Sequence, residues 1–157
     1  TIRHNMQWRD KNATDEDIWN ALDIAQAKDF VEKKPDKLDE MILQEGKNLS
    51  GGQRQRLTIA RALVGDPEIL ILDDSASALD LATDARLRKA IHEKTSGMTV
   101  FIVSQRISSI KSADKIIVLD DGKIAGIGTH SELYKGCEVY KEICLSQLSE
   151  KEAQANG

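Results

Sequence analysis

The sequence predicts an α/β fold, helical at first and then alternating strand with helix. Three observations carry this reading. The N-terminal part places apolar residues at helical spacing behind helix-starting residues, and no run in it reads as a strand. Two short runs, Ile69-Leu70-Ile71-Leu72 and Thr99–Val103, are apolar without alternation, the pattern of parallel strands covered on both faces. Between them, residues 80–94 present Leu87, Ala90 and Ile91 at helical spacing, as a crossover helix would.

Taken in order, Thr14 followed by Asp15-Glu16-Asp17 is a helix start, a hydroxyl cap with acids in the first turn. Ile18, Ala21, Leu22 and Ala25 then form its apolar stripe. A second short helix around residues 29–32 stops near Pro35, because the residue before a proline avoids the helical region. Residues 36–48 read mostly as loop, broken at Gly46. Residues 50–64 form a helix capped by Ser50 and closed by Gly65-Asp66-Pro67, with Leu57, Ala60, Leu63 and Val64 inward. After the two strands and their helix comes a short helical turn near residues 107–110. Residues 115–119 and 123–127 follow as a hairpin across Asp120-Asp121-Gly122. Thr129 with Glu132 is a capping box for a last helix over residues 131–149, and residues 150–157 read as a polar, frayed tail.

Composition excludes several classes of function. With 157 residues the chain has one domain's worth of core. At 31% charged and net charge −4 it offers no basic field for nucleic acid and no polybasic membrane patch. Apolar runs of about four residues fall far short of the roughly 20 that a membrane-spanning helix requires. Cys137 and Cys144 sit seven apart in what reads as one helix, about 10 Å of rise and too far for a disulfide. They are expected to be reduced core thiols of a cytosolic protein.

The chemistry gathers in two motifs. In Leu49-Ser50-Gly51-Gly52-Gln53 two glycines lack a Cβ, so the backbone there can come close to a phosphate. The helix that follows directs its unsatisfied N–H groups and positive dipole end the same way. About twenty residues on, the strand at residues 69–72 ends in Asp73-Asp74, carboxylates placed as those that hold Mg²⁺ beside a nucleotide. In this order and spacing, the two motifs resemble the signature and Walker B strand of the ATP-binding cassette family. Gln53-Arg54-Gln55-Arg56 and Ala60-Arg61-Ala62-Leu63 continue the family pattern, and the likeness runs from Thr1 to about Leu148.

The resemblance implies that residues 1–65 are the helical subdomain of a nucleotide-binding domain. Residues 66–157 would be the second half of its RecA-like, P-loop NTPase core. The chain contains no G-x-x-x-x-G-K-[ST] loop. In the family that loop, its strand, the adenine-stacking aromatic and the Q-loop glutamine lie upstream of a segment resembling Thr1-Ile2-Arg3-His4-Asn5. The expectation is therefore an incomplete domain lacking the Walker A strand. Alone it should bind ATP weakly and should leave an apolar sheet edge exposed.

Residue roles follow from the same likeness, in which two cassettes sandwich two ATP molecules head to tail. Ser50 would donate its hydroxyl to the γ-phosphate held by the other cassette, with the N–H groups of Gly51 and Gly52 beside it and Leu49 and Gln53 flanking. A plain helix cap is the alternative reading of the same residues. Asp73 would orient Mg²⁺ through water, or simply cap the strand end. Ser77-Ala78-Leu79-Asp80 matches the D-loop that crosses to the partner, and Asp80 also reads as the cap of the next helix.

Two positions depart from the family. Asp74 stands where a Glu polarises the attacking water, and its carboxylate is one methylene shorter. Gln105 stands at the switch histidine; it can hydrogen-bond to a phosphate but cannot take a proton. His4, His92 and His130 do not replace it and read as surface residues. Gln44-Glu45-Gly46 resembles the acidic loop with which exporters touch their membrane domain; an ordinary exposed turn is the alternative reading.

Both departures fall on one nucleotide site while the signature, serving the opposite site, is intact. The resemblance thus implies one subunit of a heterodimeric exporter at the cytoplasmic face of the cell membrane, with ATP and Mg²⁺ as cofactors. Its partners would be a non-identical cassette and transmembrane domains, not nucleic acid. The rivals are a regulatory cassette that never hydrolyses and a DNA-maintenance ATPase of the SMC kind; the heptad segments and basic surfaces of the latter are not visible in this sequence.

Overall fold

The computed structural model describes residues 1–75, 77–95 and 97–155, with side chains through residue 147. Two compact units emerge, Thr1–Val103 and Ser104–Gly157. No helix among the described residues is long and apolar enough to cross a membrane.

The first unit opens with three short helices, α1 (Ile2–Met6), α2 (Asp15–Ile24) and α3 (Lys28–Glu32). Helix α2 starts where its acids predicted: the Thr14 hydroxyl accepts from the Asp17 N–H and the Asp17 carboxylate accepts from the Thr14 N–H, a closed capping box. Helix α1 was not anticipated; five residues are too few to show periodicity, although Thr1 caps it through the His4 N–H. Two single 3₁₀ turns, Lys37–Asp39 and Gln44–Gly46, occupy the expected loop.

Helix α4 (Gly51–Leu63) follows, then β1 (Ile69–Asp73), α5 (Leu81–Lys94) and β2 (Thr99–Val103). The two strands pair in parallel with Ile69 opposite Thr99 and Asp73 opposite Val103. One continuous core runs from α1 to α5, with Ile2, Ile18, Leu22, Leu57, Leu70 and Leu87 all buried in it.

One expectation is corrected here. Leu70 and Leu72 are buried, but Ile69, Ile71, Phe101 and Val103 are each more than half exposed, from 53% to 66%. Within this unit the parallel sheet is therefore covered on one face only. An unbroken apolar run tells that both faces of a strand suit burial, not that both have found a cover.

The second unit holds α6 (Ile107–Ile110), the hairpin β3 (Ile116–Asp120) and β4 (Lys123–Gly128), and helices α7 (His130–Gly136) and α8 (Glu138–Ala155). The hairpin turns as expected on two left-handed residues, Asp121 at φ 45° and Gly122 at φ 73°, the backbone of a tight primed turn. Ile116, Val118, Leu133, Tyr140, Cys137 and Cys144 form its core.

Where a single last helix was expected there are two. The chain leaves the helical region at Cys137 (φ −122°, ψ 107°), directly after Gly136. Cys137 and Cys144 consequently do not share a helix; both are free thiols and both are buried. Helix α8 continues to Ala155, past the expected start of the tail, while the side chains from residue 148 onward and residues 156–157 lie outside the described residues.

Candidate functional site

The signature turn is built by α4 and its cap. Ser50 sits in extended backbone, its hydroxyl accepts from the Gln53 N–H at 3.2 Å, and the Gln53 side chain accepts from the Ser50 N–H at 3.0 Å. This reciprocal box settles two of the N–H groups that a helix start leaves without a carbonyl. It engages only lone pairs of the Ser50 oxygen, so the O–H remains a donor. Ser50 is exposed, Gly51 and Gly52 are half-buried, and Leu49 is anchored in the core.

The glycines answer to a close approach rather than to unusual φ. A Cβ on Gly52 would lie 3.2 Å from the carbonyl oxygen of Ala78, and one on Gly51 would lie 3.7 Å from the Ala78 Cβ. Helix α4 thus starts directly against the segment Ser77-Ala78-Leu79-Asp80. Asp80 caps α5 by accepting from the Thr83 N–H at 2.9 Å and the Thr83 hydroxyl at 2.7 Å. The backbone bond first, then the hydroxyl, hold the Asp80 carboxyl below the usual carboxylate range.

Asp73 ends β1 and Asp74 follows it, both exposed at the carboxyl end of a parallel strand, where open α/β sheets bind ligands. Asp74 carries φ 45°, a left-handed conformation that a short acidic side chain tolerates better than most. Its N–H donates to the Val103 carbonyl at 3.1 Å. Its carbonyl receives the Ser77 N–H at 3.2 Å and the Ser77 hydroxyl at 3.0 Å. Among the described residues no three His, Cys, Asp or Glu side chains cluster so as to hold a metal. The donor set suits a cation carried largely by phosphate oxygens and water, not an all-protein cage.

Gln105 belongs to the second unit and is exposed. Its backbone is held from α8: Gln147 Nε2 donates to the Gln105 carbonyl at 2.6 Å, while Gln147 Oε1 accepts from the Ile107 N–H at 3.0 Å. His130 is half-buried rather than a plain surface residue, its Nδ1 lying 2.9 Å from the Tyr140 hydroxyl. His4 and His92 are exposed.

Three supporting side chains escaped the sequence reading. Arg54 donates to the carbonyls of Leu49 at 2.7 Å and Gly46 at 3.3 Å, tying the turn at Gln44–Gly46 to the signature helix. Gln55 reaches from the same helix to the segment after Asp74, and Gln147 acts as described. Arg54 and Gln55 directly follow the motif; Arg54 bonds back to a loop five and eight residues away, whereas the partners of Gln55 lie 19 and 23 residues on, and spacing alone holds no signal for either.

The chain is similar to known proteins along nearly its whole length. The family profile described as ABC transporter matches residues 1–77. The ATP-bound structure of a bacterial Atm1-family ABC exporter superposes with a TM-score of 0.89 at 33% identity, over 94% of this chain and 26% of that one. The chain belongs to the ABC transporter ATP-binding family. An uncharacterised ABC transporter ATP-binding protein of Bacillus subtilis, YfiB, is 43% identical over 155 residues, covering 99% of this chain and 27% of that protein. A multidrug resistance ABC transporter ATP-binding and permease protein of Lactococcus lactis is 40% identical over 150 residues, 95% of this chain and 25% of that protein. The chain spans about a quarter of the length of the curated relatives it matches.

Proposed function

We propose that this chain is part of the ATP-binding and ATP-hydrolysing component of an ABC exporter, acting as one of two paired cassettes. Residues 1–65 serve as the helical subdomain and residues 66–157 as the second half of the ATP-binding core. The observation that carries the reading is the signature turn at the surface, with Ser50 exposed and its hydroxyl hydrogen uncommitted by the cap. A docked triphosphate from a partner cassette would receive that O–H, the N–H groups of Gly51 and Gly52, and the positive end of α4.

In the chain's own site, Asp73 would hold Mg²⁺ through water, and Asp74 would accept a proton from the attacking water. Mg²⁺ supplies charge neutralisation on the transferred phosphoryl group when bound. Asp74 reaches less far than a glutamate by more than about 1 Å, and a displacement of that size costs about 10²-fold in rate. Gln105 can orient a phosphate but cannot carry a proton. This site is therefore slow, while Leu49, Ser50, Gly51, Gly52, Gln53, Ser77, Ala78 and Asp80 serve a competent site across the interface. The partner is a non-identical cassette, and the pair works with transmembrane domains at the cytoplasmic face of the membrane. The Lactococcus lactis relative, an ATP-binding and permease protein, supports that assembly.

Phosphate release by the full-length subunit with its partner tests the reading. Installing Asp74→Glu and Gln105→His together should raise turnover at this subunit's site about tenfold or more, even after the strain of a longer side chain at a left-handed position. Unchanged turnover would sink the slow-site proposal.

A further inference from the structure

Gln55 lies one turn into α4, half-buried, on the face that Gly51 and Gly52 also occupy. Its side-chain amide makes two long-range bonds. Nε2 donates to the carbonyl of Asp74 at 3.2 Å, and Oε1 accepts from the N–H of Ala78 at 2.9 Å. Only a primary amide offers a donor and an acceptor on one rigid fork, so the pairing dictates its orientation. The two backbone groups it holds bracket the turn between the strand-end acid and the segment packed on Gly52.

That placement sets Gln55 apart from Ser50 and Asp74, to which the proposed function gives phosphate-facing roles. We propose that Gln55 is a positioning residue for ATP hydrolysis. It ties the signature helix to the backbone of Asp74 and Ala78, so that the turn serving the partner's nucleotide and the acid serving the chain's own move as one body. The reason is geometric. Asp74 is already held by β2 through the Val103 carbonyl, and Ala78 abuts the glycine pair. The amide adds a directed hold from α4 to a segment that already lies close against the glycine pair. A slip near 1 Å there is the scale at which rates fall about a hundredfold.

The inference rests on the paired-cassette reading, so its test includes a control for that reading. In the full-length subunit assembled with its partner, Gln55→Met keeps length and bulk but removes both bonds. Gln55→Glu keeps an acceptor for the Ala78 N–H and loses the donor to Asp74. Expected for Gln55→Met is a fall in kcat of about tenfold or more, with nucleotide affinity within about twofold and the unfolding temperature held; Gln55→Glu should fall between it and the parent. Faster hydrogen exchange at the Ala78 amide in Gln55→Met should accompany the loss. A kcat within twofold of the parent overturns the inference, as does a kcat that falls only in step with unfolding temperature in both variants. Ser50→Ala serves as the separate control: if it leaves ATP-driven pairing of the cassettes intact, the docking reading itself fails, whatever Gln55 does.

Discussion

Ser50 performs two tasks that a single substitution cannot separate but a pair can. Its oxygen caps α4, and its hydrogen is a donor at the surface. Ser50→Ala loses both and should destabilise the fold by about 1 kcal/mol, the usual worth of a cap. Ser50→Asp caps a helix as well as serine does but brings no donor and a negative charge, which would repel a phosphate. Chemical denaturation should therefore find Ser50→Asp as stable as the parent, while ATP-driven pairing measured on the full-length protein is lost. An aspartate variant that still pairs would show that the hydroxyl hydrogen is not what meets the nucleotide. Gly52 obeys a related logic. An added methyl favours a helix by up to about 1 kcal/mol, yet it would press on the Ala78 carbonyl at 3.2 Å. The two effects oppose each other, so thermal unfolding of Gly52→Ala reports whether the Ala78 carbonyl gives way.

At the scale of elements, three helix starts share one chemistry. The Asp17 carboxylate is stabilised by the Thr14 hydroxyl and then its N–H, Asp80 by the Thr83 N–H and then its hydroxyl, and Glu132 by the Thr129 N–H and then its hydroxyl. All three carboxyls are held below their ordinary range. A carboxyl depressed in the folded state contributes its stability in full above its unfolded pKa, near 4, and loses it as pH falls through the lower folded value. The thermal midpoint should accordingly hold from neutral pH down to about 5 and decline below about 4. Asp80→Asn should flatten part of that decline; an identical acid profile would mean the cap bonds do not form in solution. These starts were also the most legible part of the sequence, because a cap and its partner lie three residues apart. Local signals of this kind located α2, α4, α5 and the turn at Asp121-Gly122. They failed where the cause was not local. The break at Cys137 follows a glycine that the capping box at Thr129 overshadowed, and the Gln55 and Gln147 bonds span 19 to 42 residues.

For the whole molecule, the decisive quantity is uncovered apolar surface. In the first unit Ile69, Ile71, Phe101 and Val103 stand exposed on one face of the parallel sheet. In the second, Ile117, Leu119, Ile124 and Ile127 do the same on the hairpin. Patches of this kind on a soluble unit mark contact surfaces and, uncovered, promote association. The strands themselves explain it: residues two apart share a face, so a run without polar alternation makes both faces apolar while one helix layer covers only one. Prepared by itself, the 157-residue chain should bind an apolar fluorescent dye and scatter light as its concentration rises. Ile71→Lys with Phe101→Thr should suppress both signals without shifting the unfolding midpoint much, since each replaced side chain is already more than half in water. In the full-length protein the same pair should behave in the opposite sense, lowering stability, if that face is packed there. Each fully buried side chain of this size contributes about 1.5–3 kcal/mol, so a full-length midpoint unmoved by the double substitution would show that the face stays open in the intact protein as well.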